Sequence, residues 1–184
     1  MKKEGVIALI ISAIILLSLI FFQYGVKMEL KSSVFEHNGK IPSKYTCDSE
    51  NINPPLSISG VPESAKSLVL IMDDPDIPQE IKSSRGIEVF DHWVVFDIPP
   101  QTAEIAEGQS PQGIQGNNGA GNPNYTGPCP PSQYSPKEHR YFFKLYALDT
   151  ELSLSEGSTK AQVEEAMKNH VLAQTELTGR YERI

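Results

Sequence analysis

Three segments restrict the fold more than any other feature of the chain. Ser67–Met72 (Ser-Leu-Val-Leu-Ile-Met) and His92–Ile98 (His-Trp-Val-Val-Phe-Asp-Ile) are short and almost continuously apolar. Arg140–Leu148 (Arg-Tyr-Phe-Phe-Lys-Leu-Tyr-Ala-Leu) is rich in aromatics. Runs of six to nine residues, bounded by Pro, Gly, Asn and Asp, fit central strands covered on both faces rather than amphipathic helices. Pro99-Pro100 ends the second run, because proline cannot donate to a ladder. Leu30–Phe35, Leu56–Ser59 and Leu177–Arg183 are further strand candidates. One helix is expected from Thr159. Thr159 and Gln162 have capping-box spacing, and Val163, Ala166, Met167, His170, Val171 and Gln174 would share a face. His170 reads as a packing residue on that helix. Gln109–Pro136 is dense in Gly, Asn and Pro and is expected to be one long polar loop. The fold expected is mainly β, a sheet sandwich with one C-terminal helix.

The N-terminus is different. Val6–Phe22 holds 15 apolar residues in 17, broken only by Ser12 and Ser18, behind Lys2 and Lys3. As a helix it would span roughly 26 Å, near the short end for a bilayer. No small-x-small cleavage pattern follows it, so residues 1–27 are expected to act as a transmembrane signal anchor, making the membrane a partner through residues 6–22. A cleaved signal with a secreted domain is the alternative. Residues 28–184 would then form one domain outside the cell.

Charge removes several function classes. The chain carries 16 basic and 23 acidic residues, net −7, so no nucleic-acid partner is expected. Two cysteines are too few for a disulfide scaffold or a four-thiolate zinc site.

Chemistry-bearing residues gather at strand ends. Asp73-Asp74-Pro75-Asp76-Ile77-Pro78 follows the first run, and the prolines stiffen it. Asp91-His92-Trp93 opens the second run, and His139-Arg140-Tyr141 opens the third. Gly127-Pro128-Cys129-Pro130-Pro131 reads as a rigid wall with few free amides. Each cluster taken alone also fits a turn or a structural histidine. A sandwich can bring Asp74, His92 and His139 together at one rim.

In order and spacing these motifs resemble the phosphatidylethanolamine-binding protein family, also called the Raf kinase inhibitor-like proteins. Tyr45-Thr46-Cys47-Asp48, Asn53-Pro54-Pro55-Leu56, Tyr146-Ala147-Leu148-Asp149 and His170-Val171-Leu172-Ala173 resemble its bacterial and archaeal branch. The resemblance spans about Leu30 to Arg183. It implies two packed antiparallel sheets with small helices and one shallow rim pocket for small anions, including phospholipid head groups. It implies Asp74, His92 and His139 as the pocket's polar residues. Asp76, Pro78, Trp93, Gly127, Pro128, Pro130 and Tyr141 are implied as its frame, with Trp93, Pro128 and Pro130 as walls. No cofactor or metal is expected, and no catalysis, because there is no Gly-x-Ser-x-Gly elbow and Cys129 lies between prolines, away from any helix N-terminus. Cys47 and Cys129 lie in the segments that resemble the pocket's neighbourhood and form a candidate disulfide. Two free buried thiols are the alternative. The function expected is non-enzymatic binding of a small anionic or phosphorylated ligand. The alternatives are inhibition or regulation of a partner protein such as a protease or kinase, a metal site from Asp74, Asp76 and His92, and a hydrolase using Cys129 or Cys47.

Overall fold

The computed structural model describes residues 27–183. Among them the strands are β1 (Glu29–Lys31), β2 (Gly39–Lys40), β3 (Leu56–Ser59), β4 (Ser67–Asp74), β5 (Phe90–Ile98), β6 (Glu104–Ile105), β7 (Ile114–Gly116), β8 (Glu138–Leu148) and β9 (Val171–Glu182). The helices are α1 (Gln79–Arg85) and α2 (Lys160–Ala166), and Ser43–Tyr45 forms a single 3₁₀ turn.

The strands divide into a three-stranded sheet, β1-β3-β6, and a six-stranded sheet, β2-β9-β8-β4-β5-β7. All pairings are antiparallel except β2 with β9, which is parallel. The continuous apolar runs are explained by cover on both faces. One face of the large sheet packs Leu68, Leu70, Met72, Trp93, Val95, Phe143 and Leu145 against Leu30, Leu56, Ile58 and Ile105 of the small sheet. The opposite face packs Val69, Ile71, Val94 and Phe96 against Leu152 and against Val163 and Met167 at α2. Every residue of β4 is consequently buried.

The helix at Thr159 forms with its capping box but is shorter than the periodicity predicts. It closes at Met167, and Asn169 turns the chain with φ 65°. Val171 onward is strand, paired to β8 from Leu148 back to Glu138. A ladder of eleven paired residues outweighs the few tenths of a kcal/mol per residue that separate helix formers from strand formers. His170 is therefore not on a helix face; its Nδ1 meets Asp149 Oδ1 at 2.7 Å on the surface.

The expected fold is corrected on one part, the transmembrane helix. Among the described residues no helix is long and apolar enough to cross a membrane. α1 and α2 have seven residues each, about 10 Å of helix against a hydrocarbon core of about 30 Å. Residues 6–22, where the transmembrane helix was expected, lie outside the described residues.

Candidate ligand-binding site

Where the inter-sheet core ends, beyond Tyr141, the ends of β4, β5 and β8 meet α1 and the 125–131 segment around a cavity of about 260 Å³. Asp74 is the last residue of β4 and only 3% exposed. Its Oδ1 accepts from the Asp76 amide at 2.7 Å, closing the turn that Pro75 and Pro78 stiffen. Its Oδ2 accepts from His139 Nδ1, also at 2.7 Å. That bond places the His139 proton on Nδ1, because a carboxylate only accepts. His139 is fully buried, on the same face of β8 as Tyr141 and Phe143, and its Nε2 has no hydrogen-bond partner.

His92 reaches the cavity through a bulge. Met72 pairs with Trp93, but Asp73 pairs with Asp91, so His92 is the extra residue on β5. A bulge re-aims one side chain. Here it lets Trp93 enter the inter-sheet core while its neighbour His92 lines the cavity. The His92 Nδ1–H donates to the Thr126 carbonyl at 2.7 Å, and the Thr126 amide donates back to the His92 carbonyl at 2.9 Å. Burial pushes the His92 pKa below its ordinary value, against the opposing pull of the Thr126 carbonyl and of Asp74, Asp91 and Asp73. The ring is therefore neutral at pH 7, with Nε2 as an acceptor. His92 meets Phe90 and Tyr141 edge-on at 4.8 and 5.2 Å between centroids, and His139 stacks on Tyr141 at 6.4 Å. Burial also raises the Tyr141 hydroxyl well above the usual phenol range.

The opposite wall is a strap held from outside. Cys129 is bonded to Cys47, with their Cα atoms 5.4 Å apart. The Cys47 amide donates to the Pro128 carbonyl at 3.1 Å, and the Gly127 amide donates to Asn51 Oδ1 at 2.8 Å. A Cβ on Gly127 would lie 2.4 Å from the Tyr45 carbonyl oxygen, so only glycine allows this approach. Tyr125 donates its hydroxyl to the same carbonyl at 2.8 Å.

The expected site residues separate into three groups. Asp74, His92 and His139 converge with Pro78 and Gly127 on the cavity. Tyr141 lies beneath, between the imidazoles. Asp76, Trp93, Pro128 and Pro130 do not line it. Asp76 turns outward into a bidentate pair with Arg140, both bonds 2.7 Å, and that pair holds its carboxyl below the usual range. Trp93 is a core residue, edge-on to Tyr125, with its Nε1–H donating to Gln115 at 3.1 Å. The strap alternates like a strand. Pro128 and Pro130 point inward to buried positions, while Cys129 and Pro131 face the cavity. The two prolines expected as walls therefore lie off the lining, and Pro131 lies on it. Beyond the residues expected, the lining also includes Ile77, Ile81, Arg85, Phe90 and Thr126. Of these, Ile81 and Arg85 were legible as a pair, since a spacing of four places both on one helix face.

Asp76, paired with Arg140, is turned away from Asp74 and His92. Among the described residues no group of three His, Cys, Asp or Glu side chains is placed to hold a metal.

The profile of the phosphatidylethanolamine-binding protein family matches residues 31–182, which contain every strand from β2 onward and the whole cavity. A UPF0098 protein of Methanothermobacter thermautotrophicus is 51% identical over 162 residues, covering 85% of this chain and 99% of the relative. Among solved structures, a family homologue from Chlamydia trachomatis is 46% identical with a TM-score of 0.79, covering 86% of this chain and 99% of that one. E. coli YbcL, described as a member of the mammalian PEBP family, is 27% identical with a TM-score of 0.75, covering 86% and 100%. A match that takes in every strand but the first, together with a relative this similar along almost its full length, settles the kinship: the chain belongs to the phosphatidylethanolamine-binding protein family.

Proposed function

We propose that the cavity binds a small anionic or phosphorylated ligand, of the size of a phospholipid head group, without chemical turnover. Family membership carries a binding role only at the level of the family; the ligand class is our reading. The observation that carries it is His139 Nε2, a buried polar atom with no partner, beside His92 in a cavity of otherwise apolar character. A buried polar group left unpaired costs about 1–3 kcal/mol, and a ligand hydroxyl donating to Nε2, or a proton taken up there with an anionic oxygen, would remove that cost. The Asp74 carboxylate supports the reading, because both its oxygens are engaged internally and do not present a free anion to the ligand. The absence of turnover is supported by the bond between Cys47 and Cys129, which leaves neither thiol as a nucleophile. The same bond supports a place of action outside the cytoplasm, since disulfides persist in oxidising compartments.

Isothermal titration with inorganic phosphate and phosphoethanolamine tests the reading. Asparagine can keep the Nδ1-like donor of either histidine and lacks Nε2. His92→Asn and His139→Asn should each weaken binding by about 1–3 kcal/mol with the fold intact. Unchanged affinity in both variants sinks the assignment, and release of a product during the titration would make the protein an enzyme. Because the free His92 ring protonates only below its ordinary range, affinity should rise with acidification mainly below pH 6.5, where a bound anion draws the proton on.

A further inference from the structure

The anion site proposed above has an electrostatic problem, and Arg85 resolves it. The chain carries a net charge of −7, so an approaching anion meets a repulsive field. The charged or titratable groups facing the cavity are Asp74 from β4, His92 from β5, His139 from β8 and Arg85 from α1, with Asp91 behind His92. Asp74 is negative and committed to His139 and the Asp76 amide. His92 is held neutral at pH 7 by burial. Arg85 is the one permanent cation on the lining, and guanidinium stays charged at any working pH.

Arg85 is also unengaged. The side-chain contacts of α1 run from Gln79 to Ser83, from Ser84 to the Ile81 carbonyl, and from Lys82 to Glu88. Among the described residues Arg85 has neither an ion pair nor a side-chain hydrogen bond, and its side chain is exposed at the cavity mouth. Its position is set by the backbone. Ile81, one turn before it, and Ile77, just ahead of the helix, supply the apolar wall, and Gly86 ends the helix immediately after it with φ 67°. The cation therefore sits on the rim of an apolar, low-dielectric recess, where a charge pair is stronger than in water.

We propose that Arg85 is the specificity-determining residue of the cavity, supplying the charge that makes it prefer a dianionic phosphate monoester over a monoanionic carboxylate. This rests on the reading of the cavity as an anion site. The imidazoles, through Nε2–H once a proton is taken up with the ligand, and Thr126 offer polar contacts that any small anion shares. A permanently charged guanidinium instead rewards each added negative charge, and its planar fork matches two phosphate oxygens.

Phenyl phosphate and benzoate share a ring that Ile77, Ile81 and Phe90 can cover, and differ in charge. Both are titrated into the wild-type domain, Arg85→Gln and Arg85→Lys at pH 8, where the phosphate monoester is dianionic, its second pKa being about 6. Wild type should bind phenyl phosphate more tightly than benzoate. Arg85→Gln should lose about ten- to hundredfold for phenyl phosphate and only a few-fold for benzoate, so the discrimination collapses. Arg85→Lys should fall between, keeping the charge and losing the fork. Melting temperatures should stay close in all three proteins, because the side chain is exposed and, among the described residues, makes no hydrogen bond or ion pair. If wild type prefers phenyl phosphate and Arg85→Gln keeps that preference within twofold, Arg85 is not the determinant and the anion site stands without it. If wild type binds neither compound, the anion reading itself falls, and the role of Arg85 with it.

Discussion

Asp73 and Asp74 are neighbours in β4, and strand alternation sends their carboxylates to opposite faces of the large sheet. Asp74 orients His139 at the cavity. Asp73 takes Lys144 at 2.8 Å and Lys160 at 3.0 Å on the far face, and Lys160 also reaches Asp91 at 3.0 Å. Burial pulls Lys160 down, but the two carboxylates outweigh it and hold its pKa above the ordinary value. The Asp74–His139 pair carries a stability prediction. His139→Ala strands a carboxylate in a nearly dry site and should cost roughly 3–5 kcal/mol. His139→Asn keeps a donor for that oxygen and should cost clearly less; equal losses in urea unfolding would show that the bond contributes little. His92 carries a prediction on pH. Its folded pKa lies below the 6.5 of the exposed ring, so the unfolded chain binds the extra proton first. This contribution to stability is fully present above pH 6.5 and is lost as pH falls from there through the folded pKa. The urea midpoint should fall between pH 7.5 and 5.5, and His92→Asn should flatten that slope. An unchanged slope would assign acid sensitivity to other groups.

At the scale of elements, the strap 125–131 shapes the cavity but has little structure of its own. It is held by the Cys47–Cys129 bond, the Gly127 amide and the Tyr125 hydroxyl, all anchored on residues 45–51. The bond closes a separation of 82 residues, worth about 4 kcal/mol in the chain-entropy account. A Cys47→Ala/Cys129→Ala double variant should lose stability of that order, and it should also lose ligand affinity, because Cys129 is part of the wall. A melting temperature unmoved in the double variant would overturn this. α2 offers a smaller test. Thr159→Ala removes the acceptor for the Gln162 amide and should cost about 1 kcal/mol. α1 buries none of its residues. Few apolar contacts hold it to the body, so it is the described element easiest to open locally.

At the scale of the molecule, β4 and β5 lie between the small sheet on one side and the α2 layer on the other. Opening them exposes both cores at once. Hydrogen exchange should therefore be slowest in β4 and the Trp93–Phe96 stretch of β5, near the global unfolding limit, and fast in α1. Comparable protection of α1 and β4 would mean that the helix is more firmly docked than its burial indicates. The functional consequence is a rigid floor, carrying Asp74, His92 and His139, beneath a more mobile wall carrying Ile81 and Arg85.

What the sequence determined by itself is what short-range chemistry controls. Uninterrupted apolar runs required strands covered on both faces, Pro99-Pro100 stopped β5, and the Thr159–Gln162 spacing capped α2. The convergence of Asp74, His92 and His139 was legible because all three stand at the ends of such runs. Tertiary structure decided the rest. Val171–Gln174 continues a helical period, yet it pairs with β8, because a long ladder outweighs weak local preference. Asp76 resembles a ligand residue in sequence, and only the arrival of Arg140 beside it turned it outward. Pro128 and Pro130 were exchanged for Cys129 and Pro131 by the phase of an extended strap, which the disulfide and the close approach of Gly127 to Tyr45 set from 80 residues away. A one-residue bulge did the same for His92 and Trp93. In an extended chain a shift of one residue reverses every side chain, and that phase is fixed by contacts between segments, not by the residues within one.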